Sequence, residues 1–293
     1  MTPDHTHSDP HDQGLIHDLQ VLGHQFLQRR RALLWLGGAS ALTLLGCGGG
    51  GDEASAATTT STGGSTGSTG GSGSTTASCS VIPEETAGPY PGDGSNSSNG
   101  AIANALALSG IVRSDIRTSI GNASGVAQGV PLTIKLRLVN TGAACADLSG
   151  YAIYLWHCDR EGRYSMYSAG VTTENYLRGV QPTGSDGVAT FTTIFPGCYD
   201  GRMPHMHFEV FRSANSASAY SNKLKTSQIA LPSDVCTTVY NGASGYATSV
   251  ANFVRISFQS DNVFSDGVTL QLASVTGSVA EGYVATLTVG LSA

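Results

Sequence analysis

Tyr199, Arg202, His205 and His207 fall within nine residues of a 293-residue chain, in Phe195-Pro-Gly-Cys-Tyr-Asp-Gly-Arg-Met-Pro-His-Met-His-Phe-Glu-Val210. Two imidazoles and a phenol at this spacing can converge on one point if the chain folds back on itself. Such a cluster is suited to hold a metal ion. A phenolate is a hard, anionic oxygen donor, so it favours a highly charged ion such as Fe(III) over the softer divalent ions that thiolates select. A second phenol, Tyr164 in Gly162-Arg-Tyr-Ser165, sharpens that choice.

These side chains need elements to aim them. His205, His207 and Glu209 alternate with Met206, Phe208 and Val210, the period of two that places both imidazoles on one face of a strand. Pro196-Gly197 and Asp200-Gly201 are turn formers, which puts Tyr199 on a bend directed back at that strand. Pro131–Val139 alternates cleanly and reads as a half-buried strand, while Tyr151–Trp156 is apolar on both faces and ends near Tyr164. Further strands are expected at Val188–Ile194, Lys225–Leu231, Val254–Phe258, Val268–Leu272 and Tyr283–Leu291. Pro91–Gly100 reads as a loop, and no stretch after residue 79 shows helical periodicity. Repeated short strands with Gly-rich turns indicate an all-β sandwich or barrel.

Several motifs together resemble the intradiol ring-cleavage dioxygenases, in particular their compact secreted branch. They are Glu85-Thr-Ala-Gly-Pro-Tyr90, Trp156-His-Cys-Asp-Arg-Glu-Gly-Arg-Tyr-Ser165, Leu177-Arg-Gly-Val-Gln181, Asp186-Gly187, Phe191–Tyr199, Gly201-Arg202, His205-Met-His207 and Thr226-Ser-Gln-Ile229. They run in the family's order from residue 81 to about 265. The resemblance implies a β-sandwich with Fe(III) held at strand ends and loops by Tyr164, Tyr199, His205 and His207. It implies a catechol-type substrate cleaved by O2 between its hydroxylated carbons to a muconate-type diacid. Tyr199 would leave the iron and take a catechol proton, and Arg202 would lie beside the substrate ring. Gln228 would hydrogen-bond near the iron or substrate, and Tyr90 is a candidate pocket residue. His157 is expected to be structural. Cys198 departs from the family, which usually places a large aromatic before the second tyrosine. Glu209 shares a strand face with both histidines and is expected to face solvent or support the site from outside it. As a ligand it would instead give an extradiol site, with a yellow semialdehyde product.

The chain's first quarter has a different character. Arg29-Arg-Arg31 precedes an apolar run, Ala32–Gly46, too short for a comfortable membrane span and of signal-peptide size. The arginines suggest twin-arginine export, and Leu44-Leu-Gly-Cys47 resembles a lipobox whose cysteine is acylated. Residues 48–78 are almost wholly Gly, Ser, Thr and Ala, a composition that makes a disordered tether. The expected organisation is a signal peptide at 1–47, a linker at 48–78 and a β-sandwich domain at 79–293. The protein is then exported, periplasmic or at the cell surface, and touches the membrane only through an N-terminal lipid anchor. Cys79, Cys145, Cys158, Cys198 and Cys236 follow the tether, and in an exported chain such residues form disulfides more often than metal sites. With 15 Lys and Arg against 21 Asp and Glu, nucleic acid is not an expected partner. Two competing readings are a non-catalytic, envelope-tethered β-sandwich binding module and a zinc hydrolase using Cys198, His205 and His207. The zinc reading leaves Tyr164 without a role.

Overall fold

The computed structural model describes residues 79–293. The signal peptide, lipobox cysteine Cys47 and tether read from the sequence lie outside the described residues. The fold is an all-β sandwich. Its first sheet is centred on β3 (Pro131–Asn140), which pairs in parallel with β11 (Gly282–Leu291). On its other edge β3 pairs antiparallel with β7 (Val188–Ile194) and then β4 (Ala146–Asp147), while β10 (Ser274–Ser278) flanks β11. The second sheet runs β6 (Arg178–Pro182), β5 (Ala152–Trp156), β8 (His205–Phe211), β9 (Lys225–Ala230), all antiparallel.

Leu132, Ile134, Leu136 and Leu138 of β3 are each at most 1% exposed and pack with Ile153, Leu155, Met206, Phe208 and Val210 between the sheets. A slip of one residue would turn those four side chains outward. At about 2 kcal/mol each, that loss is comparable with the whole stability of a domain, so the register is fixed. β5 and β8 are buried on both faces. Residues of the leading segment, among them Ala103, Ala105 and Leu106, cover the outer face of that sheet against Tyr154 and Trp156. Glu85 N–H donates to the Thr226 carbonyl of β9 at 2.9 Å, and Gln228 Nε2 donates to the Thr86 carbonyl at 3.0 Å. This cover makes a polar strand face into an interior one.

Four sequence expectations are corrected. Pro91–Gly100 is not all loop, because Asp93–Ser98 (β1) pairs with Ala101–Asn104 (β2). Asn99 and Gly100, at φ 50° and 79°, turn the hairpin. Its small polar residues carry no periodicity to betray it. Ser233–Gly242 (α1) and Ala247–Phe253 (α2) are helices where none was expected. Cys236, Val239 and Tyr240 form the buried stripe of α1, a helical spacing hidden among Thr and Asn. Val254–Phe258 and Val268–Leu272 are turns rather than strands. Ile256, Phe258 and Val268 instead pack on a small cluster of Met203, Ala230, Val263 and Phe264 at the β9 edge of the second sheet. One disulfide, Cys79–Cys145, forms, and Cys158, Cys198 and Cys236 stay as buried thiols.

Candidate metal centre

His205 and His207 project from the outer face of β8, each 2% exposed. In register, His207 lies opposite Trp156 on β5 and Gln228 on β9. The Trp156 indole stacks on the His207 ring at 5.1 Å and 7°. His205 Nδ1 lies 2.6 Å from the Met203 carbonyl, so its proton is held there and its Nε2 presents a lone pair to the site. That Nε2 is 3.0 Å from His207 Nε2 and 3.1 Å from Tyr199 Oη. Burial, with Arg202 close by, drives His205 well below the usual imidazole range, and burial with His205 and then Arg202 does the same to His207. Both rings are therefore neutral, as metal ligands must be.

The Tyr164 ring lies 5.9 Å from that of Tyr199 and 6.3 Å from that of His207. Its Oη is buried and finds no partner of hydrogen-bonding geometry. Burial, then the neighbouring Tyr199, push this phenol well above its ordinary range. A buried phenol left this way costs free energy unless something occupies the space it faces.

The two tyrosine loops are packed backbone to backbone. Asp159, nearly buried, closes the turn before Tyr164 by accepting the N–H groups of Glu161 and Arg163 at 2.9 and 3.0 Å. Gly197 donates to the Asp159 carbonyl at 3.0 Å, and a Cβ on it would fall 2.6 Å from the Arg160 carbonyl oxygen. Only glycine fits there. Helix α2 then fixes Cys198, with Ser249 Oγ accepting its N–H and Asn252 Nδ2 donating to its carbonyl, both at 2.8 Å. An element absent from the sequence reading thus sets the position of Tyr199.

Arg202 is 2% exposed and is no surface arginine. Its Nε donates to Asp261 Oδ2 at 3.0 Å and its Nη2 to Gln228 Oε1 at 2.7 Å. Tyr90 lies over the site, its ring 5.0 Å from that of Tyr164. Arg178 holds it there by donating to the carbonyls of Tyr90, Pro91 and Ser165 at 2.9, 2.6 and 2.9 Å. Gly88, at φ 69°, lets the same segment approach His207, since a Cβ there would lie 3.2 Å from His207 Cε1. Asp261, Arg178 and Trp156 were not singled out as site residues from the sequence. Arg178 and Trp156 lie inside recognisable motifs, whereas Asp261 sits in a polar run with no motif of its own.

The remaining candidates separate from the cluster. Glu209 is fully buried and does not face solvent. Its Oε1 accepts from Lys223 Nζ at 2.8 Å, and burial, with Asp93 adding to it, raises the carboxyl to about 7. It turns to Lys223 and Asp93, which leaves an extradiol-type His–His–carboxylate site without its carboxylate. His157 contacts Thr193 Oγ1 at 2.7 Å and the Cys158 carbonyl at 2.8 Å, which makes it structural. Cys198 Sγ lies 3.4 Å from the Arg202 carbonyl, and burial raises the thiol to about 12. It is protonated and engaged, unlike a zinc thiolate.

The donor set fits one hard metal ion. Ligands about 2.0–2.1 Å from a metal are separated by edges of about 3 Å at polyhedral angles, close to the 3.0 and 3.1 Å found here. Among the described residues no group of three His, Cys, Asp or Glu could hold a metal. A metal at this site therefore needs the phenols.

A family model described as dioxygenase matches residues 113–235. The fold is shared with an intradiol ring-cleavage dioxygenase from Tetranychus urticae, 23% identical over 72% of this chain and 94% of that one, at a TM-score of 0.53. The dioxygenase domain of a carbohydrate-binding fusion from Streptomyces sp. SirexAA-E is 23% identical over 72% and 98% of the two chains, at a TM-score of 0.43. A 3-chlorocatechol 1,2-dioxygenase from Rhodococcus opacus 1CP is 16% identical over 71% of each chain, at 0.44. The first of these three carries the fold assignment, and the other two add nothing to it. No curated protein matches the chain.

Proposed function

We propose that this chain, whose residues 113–235 match the dioxygenase family on the fold of an intradiol ring-cleavage dioxygenase, cleaves a catechol-type ring with O2 between its two hydroxylated carbons, using Fe(III). The observation that carries the reading is the meeting of His205 Nε2 with His207 Nε2 and Tyr199 Oη at 3.0 and 3.1 Å, beside the buried phenol of Tyr164. Tyr164, Tyr199, His205 and His207 hold the ion, and two phenolates favour its ferric state. When bound, Fe(III) would supply Lewis acidity that makes a catechol-type ring reactive towards O2. Both oxygen atoms end in the product, a muconate-type diacid. One C–C bond is exchanged for two carboxyl groups, so no external reductant is needed.

The chain's own groups have distinct tasks. Tyr164 is buried, 2% exposed, which suits a ligand that stays in place. Tyr199 is less buried and lies on a bend between Gly-containing turns, and its Oη takes one catechol proton as substrate binds. Arg202 stabilises negative charge at the attacked carbon, a contribution of roughly 10²–10³ in rate for a comparable electrostatic group. Gln228 holds that guanidinium through its Oε1. The N-terminal sequence supports export and acylation at Cys47, with residues 48–78 as tether, and the Cys79–Cys145 disulfide suits an oxidising compartment.

One preparation tests all of this: the full chain expressed in an iron-replete bacterium, fractionated, and analysed for metal, visible spectrum, catechol product and mature N-terminus. The expected outcome is one iron per chain and a red-brown band that bleaches or shifts in Tyr164→Phe and Tyr199→Phe. A muconate-type product and a membrane-associated, acylated Cys47 complete it. Stoichiometric zinc in a colourless protein, or a semialdehyde product, would overturn the ferric intradiol reading. A buffer-soluble chain with an unmodified N-terminus away from Cys47 would overturn the anchor alone.

A further inference from the structure

We propose that Asp261 is a positioning residue of this site. Its buried carboxylate fixes at once the guanidinium of Arg202 and, through the backbone of Met203, the ring pose and tautomer of His205. Asp261 is fully buried and lies in a segment about 60 residues away from Arg202 in sequence. Oδ2 accepts from Arg202 Nε at 3.0 Å and from Met203 N–H at 2.7 Å. Oδ1 accepts from the N–H groups of Val263 and Phe264 at 2.8 and 3.1 Å. A carboxylate has about four lone-pair sites, so this one has little freedom left to turn.

The consequence for His205 runs through one residue. Met203 gives its N–H to Asp261, and its carbonyl holds the His205 Nδ1 proton at 2.6 Å. Pro204 follows, which restricts Met203 to extended backbone and stiffens the link. The consequence for Arg202 is that its charge, buried to 2%, is balanced by a partner buried to 0%. A buried guanidinium deprived of its anion would be costly enough to move or to draw in water. Asp261 on Nε and Gln228 on Nη2 hold the fork from two sides. The same segment brings Phe264, whose ring lies 5.8 Å from the Arg202 guanidinium carbon and 6.3 Å from the His205 ring.

Asp261→Asn is the sharpest probe, because an amide turned either way presents NH2 to two donors. Either the Arg202–Met203 pair or the Val263–Phe264 pair then loses its acceptor. The arms that use iron rest on the ferric reading above, whereas the tautomer arm uses metal-free protein. In the iron-loaded enzyme, kcat with catechol is expected to fall about 10–100-fold with KM within about threefold, and chelators to strip iron faster by a similar factor. In metal-free protein, two-bond 1H–15N spectra are expected to show His205 purely Nδ1–H in the wild type and mixed in the variant. Asp261→Glu restores charge without the geometry and should keep the defect.

A purely structural role predicts a lower melting temperature with kcat and tautomer unchanged at 25 °C, and that result would overturn the proposal. So would full recovery in Asp261→Glu, which would make the role one of charge alone. If the wild type holds no iron, the ferric reading fails and the tautomer comparison still decides the role of Asp261.

Discussion

At the scale of single residues, three buried histidines and one buried carboxyl oppose each other as pH changes. Burial lowers His157 to about 4 and takes His205 and His207 well below 6.5. Their contribution to stability is present above about pH 6.5 and is lost as pH falls below it, because the unfolded chain takes up the protons first. Glu209 is raised from 4.5 to about 7, so its contribution has the opposite sign: present below about 4.5 and lost as pH rises through 7. Between pH 7 and 5 the histidines destabilise and Glu209 compensates in part. Metal-free protein should therefore lose stability on acidification, and Glu209→Gln, which removes the compensation, should lose it more steeply. Urea midpoints at pH 5, 6, 7 and 8 measure both slopes. Identical slopes would show that Glu209 is not held near neutrality.

At the scale of elements, the polar face of the second sheet is interior because the leading segment lies on it, and Arg178 is the main fastener. Five of its hydrogen bonds join Tyr90, Pro91, the Tyr154 hydroxyl and both the hydroxyl and carbonyl of Ser165. Arg178→Lys keeps the charge but offers three donors from a point rather than a planar fork. At least two of the five hydrogen bonds are lost, at about 1–3 kcal/mol each for bonds to a charged donor. The expected result is a loss of about 2–4 kcal/mol with faster amide exchange across residues 86–92. Exchange equal to the wild type there would mean that the segment is held by its β9 contacts instead. The same elements show what a sequence discloses. β3, β7, β8 and β11 were legible because Leu132–Leu138 and Met206–Val210 alternate against one core. The candidate histidines and tyrosines stand out in the sequence because their motifs combine rare residue types with turn formers. β1, β2 and both helices were not, because Asp93–Ser98 and Ser233–Gly242 carry small polar residues whose placement is decided by distant partners. Asp261 escaped for a related reason: its partners Arg202 and Met203 come from another part of the chain.

At the scale of the whole molecule, the sandwich has one core between its sheets and a second between a sheet and the leading segment. The Cys79–Cys145 disulfide ties the start of that segment to the turn between β3 and β4, closing a loop across 66 residues. The start of the segment has other attachments. Ile82 N–H donates to the Gly290 carbonyl and Glu85 N–H to the Thr226 carbonyl, both at 2.9 Å. Native geometry near Tyr90 therefore does not depend on the cross-link, and its main effect falls on the unfolded chain. Loop-closure entropy for a loop of this length amounts to about 4 kcal/mol, with measured native disulfides ranging over about 2–5. The Cys79→Ser/Cys145→Ser double variant should unfold at lower urea, with a loss in that range. Its dependence on denaturant should steepen, because the freed unfolded chain exposes more surface. KM for catechol and the visible spectrum should stay as in the wild type. A raised KM with little change in urea midpoint would reverse this, showing that the cross-link holds the cover over the site rather than restraining the unfolded ensemble.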